Sequence, residues 1–188
     1  MKRLFIALPI SEKTRLEIAQ GILADGSVKK MPVRWTSVQN LHLTLQFLGD
    51  VEEKRIPVLK QILNRLGTSG TAEELTFTNI GAFPGAANPR VIWIGIKEND
   101  ILRKIQHQLT QDLIRNEFPA DQKKFKPHLT LGRVKENAAV PADMIRQLED
   151  IRGKLELTSS PLDRVTLFES QLKPGGPLYT VLYEKKFL

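Results

Sequence analysis

The chain has 188 residues, 41% of them hydrophobic, with 28 Lys and Arg against 21 Asp and Glu for a formal charge of +7. With no cysteine it can form neither disulfides nor thiolate metal sites, and no apolar stretch approaches the roughly 20 residues needed to cross a bilayer. The opening run Met1–Pro9 is too short for a signal peptide and charged residues follow it at once, so a soluble cytoplasmic protein is expected; the basic balance favours a polyanionic partner, nucleic acid first.

In chain order, Lys2–Leu8 reads as a strand closed by Pro9, and Ser11 caps a helix over 12–23 with Leu16, Ile18, Ala19, Ile22 and Leu23 on one side. Val33–Trp35 is a short extended piece. Asn40–Leu48 alternates as a strand does and ends at Gly49-Asp50. A helix over 52–66 follows, stopped by Gly67. Leu75–Phe83 and Arg90–Ile96 are strands flanking the turn-rich segment Pro84–Pro89, and Asn99 or Asp100 starts a helix over 100–116. Pro127–Val134 is a strand, Pro141–Ile151 a helix, and Gly153–Thr158, Asp163–Leu172 and Pro177–Lys186 are the closing strands. This order argues for an α+β fold rather than a doubly wound parallel sheet. An approximate echo between the halves suggests two lobes sharing a cleft.

The echo is sharpest in one phrase. Residues 42–45 and 128–131 both read His-Leu-Thr-Leu, and these copies hold two of the three histidines. Residues two apart on a strand share a face. His42 and Thr44 then face one way with Gln46, while Leu41, Leu43, Leu45 and Phe47 face the other. His128 and Thr130 are separated in the same way from Leu129 and Leu131. The leucines suit a buried layer and leave the His-Thr faces to line a cleft. A phosphate there suits the set: hydroxyls donate to its oxygens, one imidazole takes a proton from a nucleophile, and the other gives one to a leaving oxygen.

Arg133 adds a permanent charge, but strict alternation sets it on the leucine face; a bulge at Gly132 would turn it toward the cleft. A single His-x-Thr on a strand is usually a structural pair, so it is the repetition that points to chemistry. His107 sits mid-helix without a partner phrase and reads as a surface or boundary residue. No HExxH-like metal spacing and no Walker-type loop is present, so neither metal nor nucleotide cofactor is expected.

At these residues the chain resembles the 2H phosphoesterase superfamily, and within it the bacterial and archaeal RNA 2′,3′-cyclic phosphodiesterases, also called 2′-5′ RNA ligases. The resemblance runs through Arg3–Leu8, Arg34-Trp35, Asn40–Gly49, Pro127–Arg133, Ser170 and Gly176–Thr180. It implies one bilobal domain over residues 1–188, with pseudo-symmetric lobes and antiparallel sheets around a central cleft. It also implies cofactor-free hydrolysis of RNA 2′,3′-cyclic phosphate ends to 2′-phosphomonoesters, with tRNA fragments or small cyclic nucleotides as candidate substrates and a monomer as the expected state. By position, His42 and His128 become the acid–base pair, with His42 favoured as acid and His128 as base. Thr44 and Thr130 hold the phosphate, and Arg133 assists. The rivals are a 2′-5′ RNA ligase joining RNA (tRNA) halves through the same site and a non-catalytic RNA-binding module. Lys123, Lys124 and Lys126 read equally well as a guide for RNA backbone or as a solvated loop; Trp35 and Phe5 are candidates for stacking a base, with core packing favoured for Phe5.

Overall fold

A computed structural model describes residues 1–67, 73–121, 123–174 and 176–187. Its strands are β1 (Lys2–Pro9), β2 (Val33–Trp35), β3 (His42–Val51), β4 (Glu74–Leu75), β5 (Phe77–Phe83), β6 (Val91–Ile96), β7 (His128–Val134), β8 (Ser160–Pro161), β9 (Arg164–Lys173) and β10 (Gly176–Lys186). Its helices are α1 (Glu12–Ile18), α2 (Gly26–Lys29), α3 (Ile56–Asn64), α4 (Asp100–Arg115) and α5 (Met144–Gly153). The antiparallel α+β architecture is the expected one.

The main sheet runs β10-β9-β1-β3-β7-β6-β5, and β2 pairs beside β3 on the same edge of β7. It is two four-stranded halves joined at a narrow seam, where the only registered pair between β3 and β7 is Leu43 opposite Leu129. Those are the central leucines of the two repeated phrases. Both are fully buried and join one continuous core with Leu59, Ile62, Ile105, Leu109, Leu113 and Leu148 from the helices.

The helices cross between the halves of the chain. The helix α3 follows β3, and α4 follows β6, yet they lie against each other, and α3 also touches β10. The helix α5 covers β5 and contacts the π-helical turn Ala19–Leu23 that extends α1. The helix pairs α3–α4 and α5 with the end of α1 therefore each join the two halves of the sequence.

One expected strand is absent. Gly153–Thr158 ends α5 and continues as irregular chain. The Thr158 N–H and hydroxyl donate to the Glu17 carboxylate at 2.8 and 2.7 Å, and Leu155 sits over Gly21. Side chains of the first helical segment thus satisfy polar groups that a neighbouring strand would otherwise pair.

Two irregularities in β3 overturn the expected facing of its second half. Ile6 pairs with Gln46 and Ala7 with Thr44, so Leu45 is an extra residue; Leu4 pairs with Gly49 and Phe5 with Phe47, so Leu48 is another. Gly49 adopts φ +66°, which lets the strand continue through the second bulge to Val51 instead of ending there. Past Leu45 the alternation is inverted. Gln46, expected beside His42, is 2% exposed, and Phe47, expected in the core, is 65% exposed.

Candidate active site

The seam sets the two phrases side by side. With Leu43 opposite Leu129 in an antiparallel pair, His42 falls beside Thr130 and Thr44 beside His128. The repeat becomes a local pseudo-two-fold centred on the leucine pair. The His and Thr side chains stand on the face away from the core and line a cleft with two arms that share Thr44, Phe47, Thr130 and Arg133. The arm beside His42 has a volume of about 200 Å³ and adds Trp35, Asn40 and Tyr179. The arm beside His128 measures about 540 Å³ and adds Phe83, Phe125 and the three lysines of segment 123–126. All five expected site residues are thereby brought into one cleft.

Each imidazole is held in the same way. His42 Nδ1 donates to the Asn40 carbonyl at 2.6 Å, and His128 Nδ1 donates to the Lys126 carbonyl at 2.7 Å. A carbonyl only accepts, so the proton of each neutral ring is fixed on Nδ1 and the Nε2 lone pair is left for chemistry. His42 Nε2 lies 3.0 Å from the Thr44 hydroxyl, which donates to it when the ring is neutral.

Aromatic rings back both histidines. Phe5 lies 4.9 Å from His42 and Tyr179 meets it edge-on at 5.4 Å, while Phe83 meets His128 edge-on at 5.0 Å. Phe5 itself is buried and stacked on Phe168 at 5.1 Å, which makes it core. These surroundings disfavour an extra charge. Burial lowers the pKa of His42 to about 4, with a further downward push from the charge of His128. Burial also lowers His128, and its bond to the Lys126 carbonyl partly offsets that. Before substrate binds, both imidazoles are therefore neutral at neutral pH.

A bulge turns Arg133 toward the cleft, but the extra residue is Leu131 and not the expected Gly132: Trp93 pairs with Thr130 and Ile92 with Gly132. Arg133 is then exposed and lines both arms. Gly132 has a different task. A Cβ there would stand 2.7 Å from Val33 Cγ1 and 2.9 Å from the Arg34 carbonyl, so glycine is what allows β2 to cross so close to β7.

The bulges at Leu45 and Leu131 occupy the same place, one residue past the motif threonine. Phe47 is thus the structural counterpart of Arg133, each five positions after its histidine and each swung into the cleft. Alternation alone hides both. The bulge at Leu45 also buries Gln46, which serves as a clamp: its amide donates to Thr110 Oγ1 at 2.8 Å and the Asp121 carbonyl at 3.2 Å, and its carbonyl accepts from Asp121 N at 2.9 Å. Tyr179 and Asn40 also reach the site, from segments that the resemblance covers without giving either residue a role, the Asn40 amide donating to the Pro177 carbonyl at 2.9 Å. Among the described residues no cluster of three or more His, Cys, Asp or Glu converges as a metal site, and no helix is long and apolar enough to cross a membrane.

Residues 33–173, which span both motifs, match the family model of the 2′-5′ RNA ligase superfamily. The chain belongs to the 2′-5′ RNA ligase superfamily. Relatives in this superfamily include an RNA 2′,3′-cyclic phosphodiesterase of Thermotoga maritima, 33% identical with 98% of this chain and 95% of that one covered. One of the same description from Methanocaldococcus jannaschii is 34% identical over 97% and 99%. The crystal structure of TT0787 of Thermus thermophilus superposes with a TM-score of 0.78 at 27% identity, covering 98% of this chain and 97% of that one. The fold is also that of Escherichia coli LigT, crystallised with 3′-AMP, at a TM-score of 0.72 and 24% identity over 99% and 98% of the two chains.

Proposed function

We propose that the protein hydrolyses 2′,3′-cyclic phosphate ends of RNA to 2′-phosphomonoesters by acid–base catalysis between His42 and His128. The observation that carries this reading is the paired geometry: two imidazoles with Nδ1 tied to backbone carbonyls and Nε2 unprotonated, serving one cleft whose shared floor is Thr44 and Thr130. Relatives matched over nearly the whole chain are described as RNA 2′,3′-cyclic phosphodiesterases.

The cyclic phosphate sits between the threonines, whose hydroxyls donate to its non-bridging oxygens. His128 Nε2 takes a proton from water as the water attacks phosphorus. The P–O bond to the 3′ oxygen breaks, and His42 Nε2 delivers a proton to that oxygen. The products are a 3′-hydroxyl and a 2′-phosphate. Arg133 neutralises the charge gathering on the phosphoryl oxygens.

One proton must enter a pair of imidazoles that are both neutral beforehand, and the substrate's own negative charge draws it in by raising both pKa values. His128, the less buried, charges first without substrate, so His42 serves as acid only when the bound phosphate brings the proton to it. Phe47 offers an exposed ring to a base or ribose.

The test is to supply an RNA ending in a 2′,3′-cyclic phosphate, with and without EDTA, and identify the product. A 2′-phosphate formed equally in both supports the reading. A 3′-phosphate reverses the leaving group, loss with EDTA points to a metal, and joining to a second RNA points to ligation.

A further inference from the structure

The two arms of the cleft differ in size and in character. The arm beside His42, at about 200 Å³, lies below the ~300–1,000 Å³ typical of pockets that enclose a ligand, whereas the arm beside His128, at about 540 Å³, lies within that range. The larger arm is lined by Lys123, Lys124, Lys126 and Arg133 against one carboxylate, Asp121. None of these four cations takes part in an ion pair among the described residues. Asp121 is held by its own neighbourhood, its carboxylate accepting from the Lys123 backbone N–H at 2.9 Å.

The backbone that carries the lysines is anchored on both sides. Gln46, on β3 two residues past Thr44, clamps Asp121 at both its N–H and its carbonyl, and His128 Nδ1 bonds to the Lys126 carbonyl. The basic segment is therefore tied at one end to the strand carrying Thr44 and at the other to the second histidine. A segment free to serve only as a solvated face needs neither anchor. Unpaired cations held in a ligand-sized cavity that opens onto the reacting phosphate are a site for further phosphate.

Resting on the activity proposed above, we propose that the lysine-lined arm is a subsite for the phosphodiester on the 5′ side of the terminal nucleotide, so that the enzyme acts on oligonucleotides in preference to cyclic mononucleotides. The terminal cyclic phosphate lies at Thr44 and Thr130 with its 3′ oxygen toward His42, and the 5′ side of the ribose reaches across the shared floor to Lys126, Lys124 and Lys123 in the larger arm. The small arm has no room for the body of an RNA.

The experiment compares kcat/KM for a nucleoside 2′,3′-cyclic phosphate with that for the dinucleotide carrying the same terminal nucleoside and one internal phosphodiester. The wild-type protein favours the dinucleotide by at least about tenfold, the scale of a charge-assisted contact to one phosphate. Its KM for the dinucleotide rises about 2.6-fold more between roughly 50 and 200 mM salt than that for the mononucleotide, following a slope of about 0.7 per single-strand phosphate. Replacing Lys123, Lys124 and Lys126 together by Ala brings the preference toward unity and removes the extra salt dependence, whereas replacing all three by Arg keeps both. A wild-type preference near unity, or a preference and salt dependence unchanged in the triple Ala protein, overturns the subsite while leaving the hydrolytic reading intact. Failure of the wild-type protein to turn over either compound overturns the hydrolytic reading, and the subsite with it.

Discussion

Removing the titratable ring at position 42 tests the electrostatics of the site without substrate. His42 titrates near 4 in the folded protein against an ordinary 6.5, because burial beside Phe5 and Tyr179 disfavours the imidazolium. The depressed value means that the unfolded chain binds this proton more readily. Stability is fully retained above pH 6.5 and is lost progressively as the pH falls through 6.5 toward 4. The two values give a loss of about 2.6 kcal/mol near pH 4.5, or roughly 5–10 °C in melting temperature for a chain of this size. Melting curves of the wild-type protein and His42→Asn from about pH 7.5 to 4.5 isolate the effect, because the carboxylates common to both cancel in the difference. The variant melts lower at the neutral end if the lost ring contacts matter, but its curve falls less steeply with acid by about that amount. Parallel curves for the two proteins would refute the claim that His42 is held neutral by its surroundings.

Three further outcomes follow from the geometry. His42→Ala and His128→Ala each reduce turnover of a cyclic-phosphate oligonucleotide by at least ~100-fold, the scale of losing a general acid or base; near-normal turnover with an unchanged circular dichroism spectrum removes that histidine from the mechanism. Arg133→Ala lowers kcat/KM by at least about tenfold, and Arg133→Lys recovers only part of it, because an ammonium lacks the planar two-pronged donor set; steady-state kinetics on the three proteins decide this. Gly132→Ala drives a methyl group into the Arg34 carbonyl and Val33, and overpacking of this kind costs about 1–3 kcal/mol, or roughly 2–12 °C by calorimetry. An unchanged melting temperature there would mean that β2 yields without cost.

The amino-acid sequence by itself determined the elements and the chemistry of the two motifs. Period-two alternation over His42–Leu45 and His128–Leu131 separates leucine from His-Thr, since successive side chains on a strand must point opposite ways. The leucines are buried and the His-Thr pairs line the cleft, as that rule requires. Tertiary structure decided what lies beyond each phrase. The bulges at Leu45 and Leu131 arise from how β3 meets β1 and how β7 meets β6, and no local pattern announces them. They carry Phe47 into the cleft, bury Gln46 as the clamp of the basic segment, and bring Arg133 into the cleft with Thr130. The strand expected at Gly153–Thr158 was likewise overruled by Glu17, a hydrogen-bond partner distant in sequence. A periodic pattern reports the face of a strand only while its ladder is unbroken. Where the ladder shifts by one residue, the partner strand sets the facing, and only the folded chain contains that partner.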